Sequence, residues 1–124
     1  MNDVSALSQP HVRHELQIFL SELQAADPRA TWRAERVSGL ASGIDQVFHF
    51  FFDDNDFDEG AVGVSLLSEV EVRGVAGVKQ ALEQVLAAVG DADDDAFVGH
   101  PLWAGVRQAV EAAELRTVTD PNVR

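Results

Sequence analysis

Residues 43–54, with the sequence GIDQVFHFFFDD, contain the densest apolar run of the chain. On a helical wheel the apolar side chains of this segment cover an arc of roughly 200°, whereas a surface helix buries a stripe of roughly 100°. The residues that form this arc are Ile44, Val47, Phe48, Phe50, Phe51 and Phe52. The pattern predicts a central helix. A buried strand is the alternative, because aromatic residues also favour strands.

Three other segments have apolar residues at the three- and four-residue spacing of a helix. They predict helices over 10–24, 69–89 and 101–115. Ser68 followed by Glu71 is the pattern of a capping box at the start of helix 69–89, and a glycine follows the last residue of that helix. We therefore expect a mainly α fold, a small single-domain bundle of about four helices whose apolar faces share one core.

The remaining segments carry weaker signals. A glycine interrupts residues 28–41, which we expect to be irregular with about one helical turn. Residues 61–67 alternate weakly between apolar and polar positions and predict either a short strand or an early helical turn. One acidic helical domain then spans residues 1–124, with loose tails at 1–9 and 117–124.

Charge is the strongest global feature of the composition. The chain has 21 acidic and 9 basic residues, a net charge of −12, and most of the excess lies within residues 41–100. Such a surface repels nucleic acids and anionic membranes and attracts basic partners. We expect the carboxylates to lie on the outside of the bundle. Arg29, Arg33 and Arg36 share a face if their segment is helical, and we expect them to lie against the acidic middle of the same chain.

Two acidic segments, 53–59 and 91–95, are the candidate partner-binding loops. Their acidic residues are Asp53, Asp54, Asp56, Asp58, Glu59, Asp91, Asp93, Asp94 and Asp95. The charge predicts a non-enzymatic interaction module that binds a protein with a basic surface. An antidote or immunity protein that covers a basic toxin, or a regulatory binder, would have this chemistry.

Several enzyme classes find no support in the sequence. The chain has no cysteine, so disulfides, thiolate metal sites and cysteine nucleophiles are excluded. The alternating Asp54, Asp56 and Asp58 resemble a calcium loop, but Gly60 comes one position late and Ser65 stands where the bidentate glutamate is needed. We expect no cofactor. The first residues lack an apolar run of signal-peptide length, so we expect a cytoplasmic location.

Two other hypotheses remain open. Asp45, His49 and Asp53 are spaced four residues apart, which places them on one helix face opposite the aromatic residues. This spacing indicates, as the alternative function, a divalent-metal-dependent enzyme or a metal-binding protein. A homodimer is the other hypothesis, with Phe50 or Phe52 at its interface.

Part of the chain resembles one family of small acidic actinobacterial proteins. The residues that carry the resemblance are Trp32, Gly39 and Leu40, the run 43–54, and His100, Pro101, Leu102 and Trp103. The resemblance extends over residues 30–115. It implies a bacterial cytosolic setting, and it implies no activity, cofactor or catalytic residue.

Overall fold

The protein is mainly α-helical, as its computed structural model shows for residues 6–113. Six α-helices and no strand are found within this part of the chain. The helices are α1 (Pro10–Gln24), α2 (Arg29–Val37), α3 (Ile44–Phe48), α4 (Glu69–Val89), α5 (Asp94–Val98) and α6 (Trp103–Ala113). A π-helix over His49–Asp54 continues α3, and a 3-10 turn covers Glu59–Ala61. The prediction of a small, mainly α domain is confirmed.

The long helices lie where the apolar spacing predicts them. Helices α1 and α4 have the predicted bounds, and α6 lies within the predicted segment 101–115. Residues 1–5 and 114–124 lie outside the described residues, and so does the predicted tail 117–124. Among residues 6–113, even the 21-residue α4 lacks the apolar run that a bilayer crossing requires.

The aromatic segment is helical, so the alternative of a buried strand is wrong. Hydrogen bonds in a π-helix run from residue i to i+5, and each residue therefore turns less about the axis than in an α-helix. The consecutive Phe50 and Phe51 are both buried as a result. Phe50 stacks on Phe19 of α1 with 4.5 Å between ring centroids. The same winding leaves Phe48 and Phe52 half-buried on the flank that faces α5.

Residues 28–41 are more regular than predicted, because α2 occupies nine of them. The carboxylate of Asp27 accepts a hydrogen bond from the backbone N–H of Arg29, which stabilises the first turn. Trp32 is fully buried, and its indole N–H donates to Glu22 of α1 at 2.9 Å. Contacts with other elements therefore stabilise this helix, and the local sequence does not reveal them.

The connection before α4 contains no strand. Val62 and Leu66 form a single isolated bridge, and the rest of residues 61–67 are turns and bends. The backbone N–H groups of Ser8 and Gln9 donate to the carbonyls of Gly63 and Val64, at 3.0 and 2.8 Å. The prediction of a loose tail is therefore wrong for residues 7–9, where Leu7 is also buried.

Helix α4 crosses α6 at a very close approach. A Cβ atom built on Gly74 would lie 2.9 Å from the Cα atom of Ala113, so the two backbones meet at this glycine. Gly77, one turn later, has no atom within 4 Å of the corresponding position. The two glycines of α4 thus have different roles. Gly74 permits helix packing, whereas Gly77 only weakens the helix.

Replacing these glycines by alanine is expected to have opposite effects. Gly74→Ala should lower the free energy of unfolding by about 1–3 kcal/mol, because the added methyl group overpacks the helix crossing. Gly77→Ala should raise it by up to about 1 kcal/mol, because alanine favours the helix. Urea unfolding of both variants measures the difference. Equal changes in the two variants would contradict the close approach.

Glu22 links α1 to α2 through a partly buried carboxyl group. Burial raises the pKa of Glu22 above its ordinary value of 4.5, the hydrogen bond from Trp32 opposes this rise, and the nearby Glu35 carboxyl adds to it. The hydroxyl of Ser42 in turn donates to Glu35. The folded protein therefore binds a proton at Glu22 more tightly than the unfolded chain does.

A pH dependence of stability follows from this arrangement. Because the pKa is raised in the folded state, the contribution of Glu22 to stability increases as the pH falls from neutral towards 4.5. Glu22→Gln should raise the melting temperature near pH 7, and its advantage should shrink near about pH 5. Glu15→Gln, the same change at an exposed position of α1, is the control. An advantage of Glu22→Gln that does not vary with pH would contradict the raised pKa.

Candidate functional site

A groove of about 320 Å³ lies between the aromatic segment, the end of α4 and the start of α5. Its volume is at the lower end of the range of ligand-binding clefts, roughly 300–1,000 Å³. One wall is formed by α3 and the π-helix, and π-helical turns are frequent at functional sites. The other wall is formed by α4, α5 and the residues that connect them.

The floor of the groove is apolar and mainly aromatic. The rings of Phe48 and Phe52 stack with 5.6 Å between centroids and 24° between planes. Phe97 of α5 lies 5.6 Å from Phe48 at a tilted angle. Leu86 of α4 also lines the groove and is 39% exposed. Leu86 and the half-buried Phe48 and Phe52 offer an apolar surface that is partly open to solvent, and the buried Phe97 packs beside it.

Four exposed carboxylates surround this floor. Asp45 and Asp53 belong to the wall of α3 and the π-helix, and Glu83 and Asp91 belong to the other wall. Among the described residues that line the groove, none is a lysine or an arginine. Within residues 6–113, the carboxylates of Asp45, Glu83 and Asp91 form no ion pair. The groove therefore combines an apolar floor with uncompensated negative charge.

Among the described residues that line the groove, His49 is the one that can carry a positive charge. Its Nδ1 atom lies 2.6 Å from Oδ2 of Asp53, and both side chains are largely exposed. Asp45 and His49 line the groove beside Phe48 and Phe52, so the predicted opposite face holds only relative to the buried Phe50 and Phe51. Asp45 and Phe48 are three residues apart, and so are His49 and Phe52, and residues at this spacing are neighbours on a helix surface.

The described residues form no metal-binding site. Within residues 6–113, no three histidine, aspartate or glutamate side chains are placed to hold one ion. The hydrogen bond between His49 and Asp53 is made by the side chains themselves. The hypothesis of a divalent-metal centre at Asp45, His49 and Asp53 therefore has no three-ligand geometry in this part of the chain.

The acidic segment 91–95 is not one loop, because α5 begins at Asp94. Asp93 caps this helix by accepting the backbone N–H of Ala96 at 3.1 Å. Asp91 faces the groove. Asp95 is exposed and accepts a hydrogen bond from Arg29 at 3.2 Å. The acids of this segment therefore face in different directions.

Asp94 stabilises the fold and is only slightly accessible to a partner. Its Oδ1 atom accepts the backbone N–H of Ile44 at 2.9 Å, which caps α3, and its Oδ2 atom accepts from Arg36 at 3.0 Å. Its side chain is only 18% exposed. Ser42, which precedes the start of α3, donates its hydroxyl to Glu35 and does not cap α3.

The acids of segment 53–59 are divided in the same way. Asp53 lines the groove, and Asp58 caps the 3-10 turn by accepting the N–H of Gly60 at 2.9 Å. The other acidic side chains of this segment are exposed and lie outside the groove. These are Asp54, Asp56 and Glu59. Of the nine predicted partner-binding residues, the structure therefore brings only Asp53 and Asp91 together in the groove.

A second groove, of about 430 Å³, contains the three arginines of α2. Arg29, Arg33 and Arg36 line one side of it, and residues 93–95 line the other. The hydrogen bonds of Arg29 and Arg36 confirm the prediction that these arginines lie against the acidic middle of the chain. The second groove is therefore largely neutralised from within.

Sequence reasoning missed several residues of the first groove, among them Phe97, Glu83 and Leu86. Glu83 was not singled out, and Leu86 was assigned to the buried stripe of α4, although 39% of it is exposed. The two residues are three positions apart, and helical spacing places them on one face. An acidic residue three positions before an apolar residue, at the edge of the apolar face of a helix, is the sequence signal that indicates a groove position.

Comparison of the chain with protein families, with curated proteins and with solved structures gave no match. The resemblance to the actinobacterial family therefore stays a prediction. Function has to be inferred from the geometry of the groove.

Proposed function

We propose that the protein is a non-enzymatic interaction module that binds a basic segment of a partner protein in the first groove. A single observation carries this proposal. An aromatic floor is surrounded by four carboxylates, and no lysine or arginine of residues 6–113 lines the groove. A basic side chain of a partner supplies the missing positive charge, while an apolar neighbour covers the floor.

The charge of the whole chain supports the same proposal. A net charge of −12 attracts a basic partner over several ångströms and raises the rate of encounter. The aromatic side chains then provide the contact area, because buried aromatic groups dominate the binding energy of many interfaces. An antidote that covers a basic toxin is one class of protein with these properties.

The four carboxylates favour partner binding over catalysis. Three of them are exposed and form no ion pair within residues 6–113, and the fourth is paired with His49. Catalytic carboxylates are usually partly buried or closely paired, which shifts their pKa values. Exposed single carboxylates around an apolar floor are instead typical of the rim of a protein interface.

A titration with a short basic peptide tests the proposal. The probe contains alternating leucine and lysine or arginine residues, and a peptide with glutamate in place of the basic residues is its control. We expect the basic peptide alone to bind, and its affinity should fall steeply between about 0.01 M and about 1 M salt. The variant with both Glu83→Gln and Asp91→Asn should bind at least about tenfold more weakly.

A matched variant separates groove binding from general attraction. Glu59→Gln with Asp56→Asn removes the same charge from exposed positions outside the groove. It should keep most of the affinity. An equal loss in both double variants would show that the basic peptide binds by net charge alone, and the proposed site would then be wrong.

A further inference from the structure

We infer that the groove binds an arginine side chain of the partner in preference to a lysine, with an apolar residue of the partner beside it. This inference rests on the proposed function, because it names the side chain that the same groove recognises. Three observations support it. They are the internal ion pairs of the second groove, the aromatic floor of the first groove, and the position of the one lysine of the chain.

The second groove provides an internal example of arginine recognition by the same acidic segment. Nη1 of Arg36 donates to Asp94 at 3.0 Å, and Nη1 of Arg29 donates to Asp95 at 3.2 Å. Both donors come from α2, which lies on one side of the segment 91–95. On the other side, Asp91 faces the first groove, and no arginine of residues 6–113 reaches that groove. A partner's arginine would complete there the pattern that α2 forms on the other side.

The aromatic floor distinguishes a guanidinium from an ammonium. A guanidinium group is planar and weakly hydrated, and it stacks on aromatic faces, whereas an ammonium group is compact and strongly hydrated. Phe48 and Phe52 stack on each other, Phe97 lies beside Phe48, and together these rings form a weakly hydrated apolar floor. Removing water from a guanidinium over this floor therefore costs less than removing it from an ammonium.

Lys79, the one lysine of the chain, shows that the ring of Phe52 accepts a cation, here from outside the groove. Its Nζ atom lies 5.3 Å from the centroid of the Phe52 ring, within the range of a cation–π contact. The same Nζ donates to the backbone carbonyl of Asp56 at 2.9 Å. Lys79 does not line the groove and forms no ion pair with a carboxylate of residues 6–113. Within residues 6–113, Asp45, Glu83 and Asp91 thus form no ion pair and can accept from an external donor, while Asp53 is paired with His49.

The position of the carboxylates fits the several donors of an arginine. Asp45 and Asp53 lie on one wall, and Glu83 and Asp91 lie on the other. The five N–H donors of a guanidinium form a fixed fork that can address acceptors on both sides, whereas an ammonium acts as a point charge. Leu86, at the edge of the floor, is the contact for the apolar neighbour.

A set of peptides that differ at one position tests the inference. Each has a central residue between two leucines, and this residue is arginine, lysine or citrulline, the neutral analogue of arginine. Fluorescence anisotropy with the whole protein measures the affinities. We expect arginine to bind about tenfold more tightly than lysine, and citrulline to lose most of the affinity. Replacing the two leucines by glycine should also weaken the arginine peptide.

Protein variants assign the effect to the groove. Glu83→Gln should weaken the arginine peptide about fivefold or more, and Glu59→Gln, the same substitution outside the groove, should leave it nearly unchanged. Arginine and lysine peptides that bind equally, but depend equally on Glu83, would overturn the inference and leave the proposed function standing. If neither peptide binds, or if both variants weaken binding to the same extent, the proposed function fails as well.

Discussion

Replacing Glu71 by glutamine is expected to lower the free energy of unfolding by about 3–5 kcal/mol, because the change removes the carboxylate that forms a buried ion pair with Arg13. Arg13 is fully buried and forms two parallel hydrogen bonds with Glu71, at 2.7 and 2.9 Å. Arg13 also donates to the carbonyl of Ser65 at 3.3 Å. Glutamine retains the shape of the side chain and one acceptor but removes the charge.

Urea unfolding measures this effect against a close control. Glu69→Gln is the same substitution two residues earlier on α4, at an exposed position, and should cost at most about 1 kcal/mol through the helix dipole. The slope of the unfolding free energy with urea should stay unchanged, so the midpoint alone should move. Similar midpoints for the two variants would contradict the burial of the pair.

The double variant Arg13→Met with Glu71→Leu measures how much of the loss in stability comes from the interaction between the two residues. Because both charges are removed together, its cost should be well below the sum of the two single changes. Glu71 also accepts the backbone N–H of Leu67 at 2.6 Å, so some loss should remain in the double variant. Additive losses would show that the two residues act independently.

The ion pair of Arg13 with Glu71 could not be predicted from the sequence. Arg13 stands at a position of the apolar stripe of α1, three residues before Leu16, and such a position in a helix usually faces the core. The expectation that all carboxylates lie outside is wrong for Glu71. The capping pattern of Ser68 was recognised correctly, since Ser68 accepts the N–H of Glu71. The carboxylate of Glu71 was assigned only to the cap, but it accepts the backbone N–H of Leu67 and forms the buried ion pair with Arg13.

The limits of prediction have one physical cause across the fold. Helices α1, α4 and α6 have long apolar stripes, so local spacing predicted them. Helices α2 and α5 are short and depend on contacts with distant segments. Asp94, for example, caps α3 from a position fifty residues later in the chain. No local pattern contains that information.

The same cause explains the partial prediction of the groove. Asp53 and Asp91 were predicted from charge alone, but the acids of one segment serve as caps, as ion pairs and as groove residues. Only the tertiary structure decides which role each one has. Phe50 illustrates the same limit, because it was proposed for a dimer interface and is buried against Phe19. Phe52 lines the groove.

Gly43→Ala is the second large effect that we expect, with a loss of about 2–4 kcal/mol from backbone strain and a weakened helix cap. Gly43 has φ 123° and ψ −175°, a conformation that is essentially restricted to glycine. A Cβ atom at this position would lie 2.7 Å from Nη1 of Arg36 and 3.1 Å from Oδ1 of Asp94. The methyl group would therefore also displace the two groups that join α2, α3 and α5.

Gly39→Ala isolates the backbone part of this effect. Gly39 also has a positive φ, of 91°, but its Cβ position has no atom within 4 Å. It should cost about 1–2 kcal/mol, because only the left-handed backbone is strained. Equal losses for the two variants would show that the contact of Arg36 with Asp94 adds nothing to stability.

The same substitution connects stability with binding. Asp94 accepts the backbone N–H of Ile44, the first residue of α3. Asp45, which follows Ile44, lies at the border between the two grooves and lines both. A displaced Arg36–Asp94 contact should therefore shift the wall that carries Asp45. Gly43→Ala should weaken the arginine peptide even under conditions where the variant is fully folded, whereas Gly39→Ala should not. Unchanged peptide affinity in folded Gly43→Ala would show that this junction supports the fold alone and does not shape the groove.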